Sequence, residues 1–294
     1  MIAAEIAVAL GGTRRCGGWW RCGCPVHGSL GATLAIRDGE RGLIAKCFAG
    51  CDPGEVLDAL RKRGMIGPDG VGNGTQRHFA VAAPDAAGRI AAARRIWDRA
   101  REASGTPLAA YLAGRGITIP VPPSLRWTAS LRRQDGSAGP AMVAIVEHAK
   151  GGVVGVHRTW LARRSAGEWR RTDRASLGPI GGAAVRLAPA AELLMVAEGI
   201  ETALSAMQAT DLPAWAALST SGIVGLVLPP IVETVVILAD HDASGAGERA
   251  AQSAAARWLA EGRLVRIAMP PHPDTDFNDV ALGRVCREAS DVTA

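Results

Sequence analysis

The stretch Val235 to Gly247 reads Val-Val-Ile-Leu-Ala-Asp-His-Asp-Ala-Ser-Gly-Ala-Gly, and it leaves few folds open. An apolar run ends abruptly in Asp240 and Asp242, then a glycine-bearing turn leads into an alanine-rich segment. A buried strand, an acidic end and a helix is how an α/β sheet presents groups at its carboxyl edge. Residues two apart on a strand share a face, so the two carboxylates lie side by side if the extended geometry persists. Such a pair repels. A divalent cation relieves the repulsion, and Mg²⁺ takes a few carboxylates together with water and phosphate oxygens.

The surrounding sequence repeats the alternation. Leu193 to Val196 is a buried strand ended by Glu198-Gly199, and a helix starts over Ile200 to Met207. Ala214 to Leu218 and Leu264 to Ala268 are further strands, and Gly245 to Gly262 is a helix with Ala250, Ala254 and Trp258 on one stripe. Short apolar strands separated by helices predict an α/β fold with a largely parallel sheet covered on both faces. In such a sheet Glu198, Asp240 and Asp242 converge on one edge.

At the other end, five of the six cysteines lie within the first 51 residues: Cys16, Cys22, Cys24, Cys47 and Cys51. In a reducing compartment such a cluster reads as metal binding, not disulfides. Cys24-Pro25-Val26-His27 and Cys47-Phe48-Ala49-Gly50-Cys51 form two knuckles, each able to supply two of the four S/N ligands zinc takes. Cys24, His27, Cys47 and Cys51 are the expected zinc ligands. Cys16 and Cys22 are spares, because only Cys24 has the proper offset to His27. Between the knuckles, Thr33 to Ile36 and Leu43 to Ala45 predict a hairpin turning over Arg37-Asp38-Gly39-Glu40. A helix then starts with Asp52 as N-cap, Pro53 at its first position and Glu55 completing a capping-box-like pattern. The zinc module is expected over residues 1–66, with a Gly/Pro/Ala-rich linker over 67–85.

Residues 86–190 read as a helical and then strand-rich segment. Trp97 and Tyr111 have helical neighbours and are expected to pack in a core. Met142 to Val146 and Val153 to Trp160 predict a hairpin. Between His157 and Arg174 come six arginines, Arg158, Arg163, Arg164, Arg170, Arg171 and Arg174, interleaved with Trp160 and Trp169 and opposed only by Glu168 and Asp173. Guanidinium forks hold phosphates bidentately and tryptophan faces stack on bases, so the cluster predicts nucleotide or nucleic-acid contact. The net charge of +5 agrees with a polyanionic partner without requiring one. No apolar run reaches the ~18 residues of a membrane span. Met1 to Leu10 carries Glu5 and no basic leader, so a soluble cytoplasmic protein without membrane contact is expected.

Two resemblances sharpen this reading. Cys-Pro-x-His, a hairpin, Cys-Phe-Ala-Gly-Cys and a capped helix resemble the zinc-binding domain of DnaG-type primases, with the Cys47 to Cys51 spacing of the phage and plasmid branch. Glu198-Gly199 after one strand and Asp240-His241-Asp242 after another resemble the Toprim domain that primases share with topoisomerases and some nucleases. Asp276-Phe277-Asn278-Asp279 resembles the acidic motif closing primase-type Toprim domains, with Thr275 where the family often has a lysine. The resemblance implies a DNA primase making short RNA primers on single-stranded DNA. Glu198, Asp240 and Asp242 would bind Mg²⁺ or Mn²⁺, with Asp276 and Asp279 as further candidates, and one structural zinc would sit in the ribbon. Nucleoside triphosphates are then substrates. No Gly-x-x-x-x-Gly-Lys-Ser/Thr stretch is present, so a helicase would be a separate partner. The alternatives are a Toprim nuclease using the same carboxylates, or a non-catalytic zinc/Toprim DNA-binding protein of replication or recombination. A type IA topoisomerase fits poorly, because the only tyrosine, Tyr111, lies in a helical segment.

Overall fold

The computed structural model describes residues 2–12, 14–16, 18–28, 32–39, 42–48, 50–66, 86–133, 135–164, 167–241, 245–272, 275 and 277–282. The chain forms two compact units, Met1–Val81 and Ala82–Ala294. The expected linker, residues 67–85, lies outside the described residues.

The first unit contains α1 (Ile2–Ala9), β1 (Arg14–Cys16), β2 (Trp19–Cys22), β3 (Leu34–Gly39), β4 (Gly42–Cys47) and α2 (Pro53–Lys62). The strands form an antiparallel sheet in the order β1-β2-β3-β4. Strand alternation sends Leu34, Ile36, Leu43 and Ala45 to one face, where they bury against Ala3, Ile6 and Ala7 of α1 and Val56 and Leu60 of α2. Each large apolar side chain so buried contributes about 1.5–3 kcal/mol. The expected capping is present: an Asp52 carboxylate oxygen accepts from the Gly54 and Glu55 amides at 2.7 and 3.3 Å. The hairpin turn differs from the expectation. Asp38 and Gly39 are still in β3 and Gly39 pairs with Gly42, while residues 40–41 lie outside the described residues. Asp38 is used elsewhere, accepting the Ala3 amide at 3.0 Å, which ties α1 to the sheet.

The second unit begins with α3 (Ala86–Arg99), β5 (Arg101–Glu102), α4 (Pro107–Gly114) and β6 (Leu125–Arg132). A long antiparallel run follows: β7 (Ala138–His148), β8 (Val153–Arg163), β9 (Trp169–Leu177) and β10 (Ala183–Arg186). Then come β11 (Leu193–Ala197), α5 (Ile200–Thr210), β12 (Ala214–Ala216), α6 (Thr220–Gly225), β13 (Thr234–Leu238), α7 (Ala246–Ala260), β14 (Leu264–Ala268) and α8 (Phe277–Ala281). All the strands predicted from 193 onwards are present, and β14, β13, β11 and β12 lie parallel in that order. The sequence reading treats the basic segment and the parallel sheet as successive parts. The structure joins them in one ten-stranded sheet, with β10 antiparallel to β12 on one side and to β7 on the other.

Period-2 alternation explains the two cores. Leu194, Val196, Val235 and Ile237 face α6 and α7, where Ile223, Ala251, Ala254 and Trp258 are buried. Met195, Ala197 and Leu238 face α5 and its Ile200, Ala203 and Leu204. Among the described residues no helix is long and apolar enough to cross a membrane.

Candidate active site and zinc group

In the first unit, Cys24, His27, Cys47 and Cys51 each offer a ligand atom, all within 4.8 Å of one another. Cys24 Sγ is 4.0 Å from Cys51 Sγ, and His27 Nδ1 is 3.1 and 3.7 Å from the Cys51 and Cys47 sulfurs. Three thiols and one imidazole converging at this spacing are a fit for tetrahedral zinc, and the group could bind it. His27 Nε2 lies 3.3 Å from Thr33 Oγ1, an outer contact that orients the ring. Cys22 is not in the group. It is buried on β2, where burial and the neighbouring Cys24 push its thiol up to about 11.

The opposite face of this sheet is basic and aromatic, which the sequence reading missed. Trp19 and Arg21 on β2, Arg37 on β3 and Lys46 on β4 share it by strand register, and Phe48 follows β4. Arg21 lies 4.0 Å from the Phe48 ring centroid and Arg37 4.7 Å from that of Trp19. Phe48 is 46% exposed, a large apolar ring left in water beside Arg21 and Lys46. The period-2 pattern of the three strands would have revealed the face, had β2 been recognised.

In the second unit, Glu198 follows β11 and Asp240 follows β13. These strands are parallel neighbours with Ala197 level with Leu238, so both residues belong to the carboxyl edge of the sheet, Asp240 one residue beyond the position level with Glu198. Both are half-buried. Tight packing fixes the edge. A side chain at Gly247, in the first turn of α7, would meet the Asp240 carbonyl oxygen at 2.4 Å. The Glu198 carbonyl accepts from the Leu218 amide at 2.9 Å, and Leu218 holds a left-handed backbone with φ 71°. That conformation costs a non-glycine residue about 1–3 kcal/mol, and it sits in the wall of the site. Asp242 and Asp276 lie outside the described residues. Asp279 is half-buried on α8. Its neighbour Asn278 pins that helix, donating to the Arg115 carbonyl at 2.6 Å and to Ser205 Oγ of α5 at 2.9 Å. His241 turns to structure: its Nδ1 lies 3.0 Å from the Pro270 carbonyl, and it bridges to Thr275.

A small pocket adjoins Glu198. It is lined by His157 and Thr159 from β8, Arg171 and Arg174 from β9, and Glu198, Glu201 and Leu218. Residues three apart on a strand point to opposite faces, yet Arg171 and Arg174 both reach the pocket. A bulge explains it: Trp160 pairs with Asp173 and Leu161 with Arg171, leaving Thr172 as the extra residue. Arg170 pairs with Ala162 and Arg163 with Trp169 further along the hairpin, and neither they nor the exposed Arg164 line the pocket. Arg158 departs from the expectation of nucleic-acid contact. It is 8% exposed, its guanidinium donates to the Ala175 and Ser176 carbonyls at 3.3 and 3.4 Å, and it lies over Trp160.

Two charged or titratable pocket groups, His157 and Glu201, and the role of a third group that bonds to one of them escaped the sequence reading. His157 is buried, with Nδ1 2.9 Å from Ser176 Oγ. Burial first, and the nearby arginines, depress its pKa to about 4, so the ring is neutral at pH 7. Glu201 is buried in the first turn of α5, and Tyr111 of α4 donates its hydroxyl to Glu201 Oε1 at 2.7 Å. Burial and the Glu201 charge push the Tyr111 phenol far above its ordinary range, so it remains a donor. Tyr111 packs in the core as expected, but its hydroxyl serves the site.

Residues 193–285 match the model of the Toprim domain, and residues 87–187 match a domain of unknown function, DUF7146. Among curated proteins none matches the chain. In structure it is similar to the zinc-binding and RNA polymerase domains of the Aquifex aeolicus primase (TM-score 0.44, 16% identity, 98% of this chain and 81% of that one). It is similar also to a DnaG primase catalytic domain bound to single-stranded DNA (TM-score 0.40, 17% identity, 69% and 77%). A third neighbour is the primase fragment of the bacteriophage T7 primase-helicase protein (TM-score 0.37, 19% identity, 61% and 67%). The parallel sheet with Glu198 and Asp240 at its carboxyl edge is a Toprim domain.

Proposed function

We propose that the chain is a primase, a metal-dependent nucleotidyltransferase that makes short RNA primers on single-stranded DNA. The observation that carries this reading is the composition of one site. Two Toprim carboxylates end adjacent parallel strands, and two arginines of the basic hairpin reach the pocket beside one of them.

Glu198, Asp240 and Asp242 are hard oxygen donors suited to Mg²⁺ or Mn²⁺, with Asp276 and Asp279 as further candidates. The cation supplies charge neutralisation at the reacting phosphate and a lower pKa for the attacking 3′ hydroxyl. Arg171 and Arg174 hold the phosphates of a nucleoside triphosphate. His157, being neutral, adds a hydrogen-bonding group without adding charge. Arg163, Arg164 and Arg170 extend the basic hairpin along which template phosphates bind. The zinc module, with one structural zinc on Cys24, His27, Cys47 and Cys51, presents Trp19 and Phe48 as stacking platforms for template bases, with Arg21, Arg37 and Lys46 around them. The enzyme works in the cytoplasm with a separate helicase.

The test is a priming assay with single-stranded DNA, labelled nucleoside triphosphates and Mg²⁺ or Mn²⁺. The wild type is expected to yield template-dependent oligonucleotides and Asp240→Ala none. A wild type that makes no oligonucleotide and instead degrades DNA would overturn the proposal in favour of a Toprim nuclease.

A further inference from the structure

We infer that Glu201 is a positioning residue for the nucleotide site, its buried carboxylate fixing the Arg171 guanidinium where a triphosphate binds. The inference rests on the reading of the pocket as a nucleotide site.

Glu198 and Glu201 are three residues apart at the start of α5 and line the same pocket, yet the chain treats them differently. Glu198 is half-buried at the sheet edge; Glu201 is 7% exposed. An unpaired carboxylate at that depth is strongly disfavoured. Glu201 is satisfied from three directions. The Tyr111 hydroxyl donates to Oε1 at 2.7 Å, Arg171 Nη1 stands 3.9 Å from the same oxygen, and the first turn of α5 favours negative charge. A metal ligand keeps its lone pairs open towards the cation. Glu201 instead turns its oxygen to a phenol and a guanidinium, so its task differs from that of Glu198.

Arg171 needs such a partner. Its side chain is 48% exposed, and an unrestrained arginine samples many rotamers, whose loss on binding opposes association. The bulge at Thr172 brings Arg171 to the pocket face beside Arg174, with its guanidinium 3.9 Å from Glu201. Two effects of removing the Glu201 charge oppose each other. Loss of a negative charge strengthens the positive field of the pocket and tightens anion binding. Loss of the anchor frees Arg171 and weakens it. Positioning requires that the second effect wins.

Calorimetry with the full chain, using tripolyphosphate and ATP as probes, reads the sign directly. Arg171→Ala is expected to weaken binding about tenfold, the loss of one charge-assisted hydrogen bond. Glu201→Gln, which keeps shape and polarity, is expected to weaken it several-fold in wild type and not at all in the Arg171→Ala background. With Arg174→Ala its effect should multiply. Should Glu201→Gln fail to fold, Tyr111→Phe keeps the carboxylate and loosens it, and must show the same dependence on Arg171. Unchanged or tighter binding, an effect independent of Arg171, or no anion binding by the wild type would each overturn the inference. Priming measured in parallel separates the two readings. Coupling without priming rejects only the primase; priming without coupling rejects only the role of Glu201.

Discussion

Replacing Gly247 by alanine should damage the metal edge through backbone geometry alone. The new Cβ would stand 2.4 Å from the Asp240 carbonyl oxygen, 3.2 Å from its carbonyl carbon and 3.3 Å from its amide nitrogen. Carbon and oxygen settle at roughly 3.3–3.6 Å, so strand end and helix must part by about 1 Å. The obstacle is backbone, and no rotamer relieves it. Overpacking of this kind costs about 1–3 kcal/mol, offset by the 0.5–1 kcal/mol or so that alanine gains over glycine in a helix. A net loss of about 1–2 kcal/mol lowers the melting temperature of a unit this size by about 2–8 °C. The functional loss should be larger, because the displacement falls on Asp240, and a 1 Å misplacement can cost about 10²-fold in rate. Gly245→Ala is the control. Gly245 has φ 63°, so alanine is strained there by about 1 kcal/mol, but its nearest neighbour is the flexible Arg249 guanidinium at 3.0 Å, not the strand. Thermal melts and priming rates of both variants check the argument. It is refuted if Gly247→Ala melts like wild type and keeps its rate, or if Gly245→Ala loses as much activity.

Two further predictions concern the zinc group and the buried imidazole. Chelation of zinc, or Cys51→Ser, is expected to melt the module built around the four ligands, whereas Cys22→Ala keeps about one zinc per chain; metal analysis and far-UV circular dichroism check this. For His157, the pKa falls from an ordinary 6.5 to about 4. Above 6.5 the ring is neutral in both states. Between about 6.5 and 4 the unfolded chain takes up a proton that the folded chain refuses, so stability drops as pH falls through that window. At about 1.4 kcal/mol per pKa unit the effect is at most about 3 kcal/mol. Urea melts between pH 7 and 4.5 should show a shallower fall for His157→Gln, and an unchanged slope would contradict the assignment.

What was legible in the sequence was whatever repeats at short range. The buried strands of the Toprim domain, the acids at their ends, the Asp52 cap and the two zinc knuckles are local patterns, each carried by a few consecutive residues. What was illegible depends on distance. Tyr111 and Glu201 are 90 positions apart and meet only because α4 and α5 pack in one core. The continuity of the sheet through β10 was equally hidden, since the short Ala183–Arg186 strand carries no strong pattern of its own.

The arginine cluster shows how far a motif reading reaches. Six arginines in a hairpin announce phosphate binding, but strand parity decides which of them face a given site. An unbroken β9 would put Arg171 and Arg174 on opposite faces, and only one could reach the carboxylates. The single extra residue at Thr172 reverses the parity beyond it, and Arg158 is lost to the carbonyls of Ala175 and Ser176. Deleting Thr172 would leave Arg171 and Arg174 two apart on a plain strand and still on one face, so both should keep reaching the pocket; a bulge pulled straight with Thr172 retained would turn one of them away without changing a single charge. The chemistry of the site is therefore written less in the number of arginines than in one bulge.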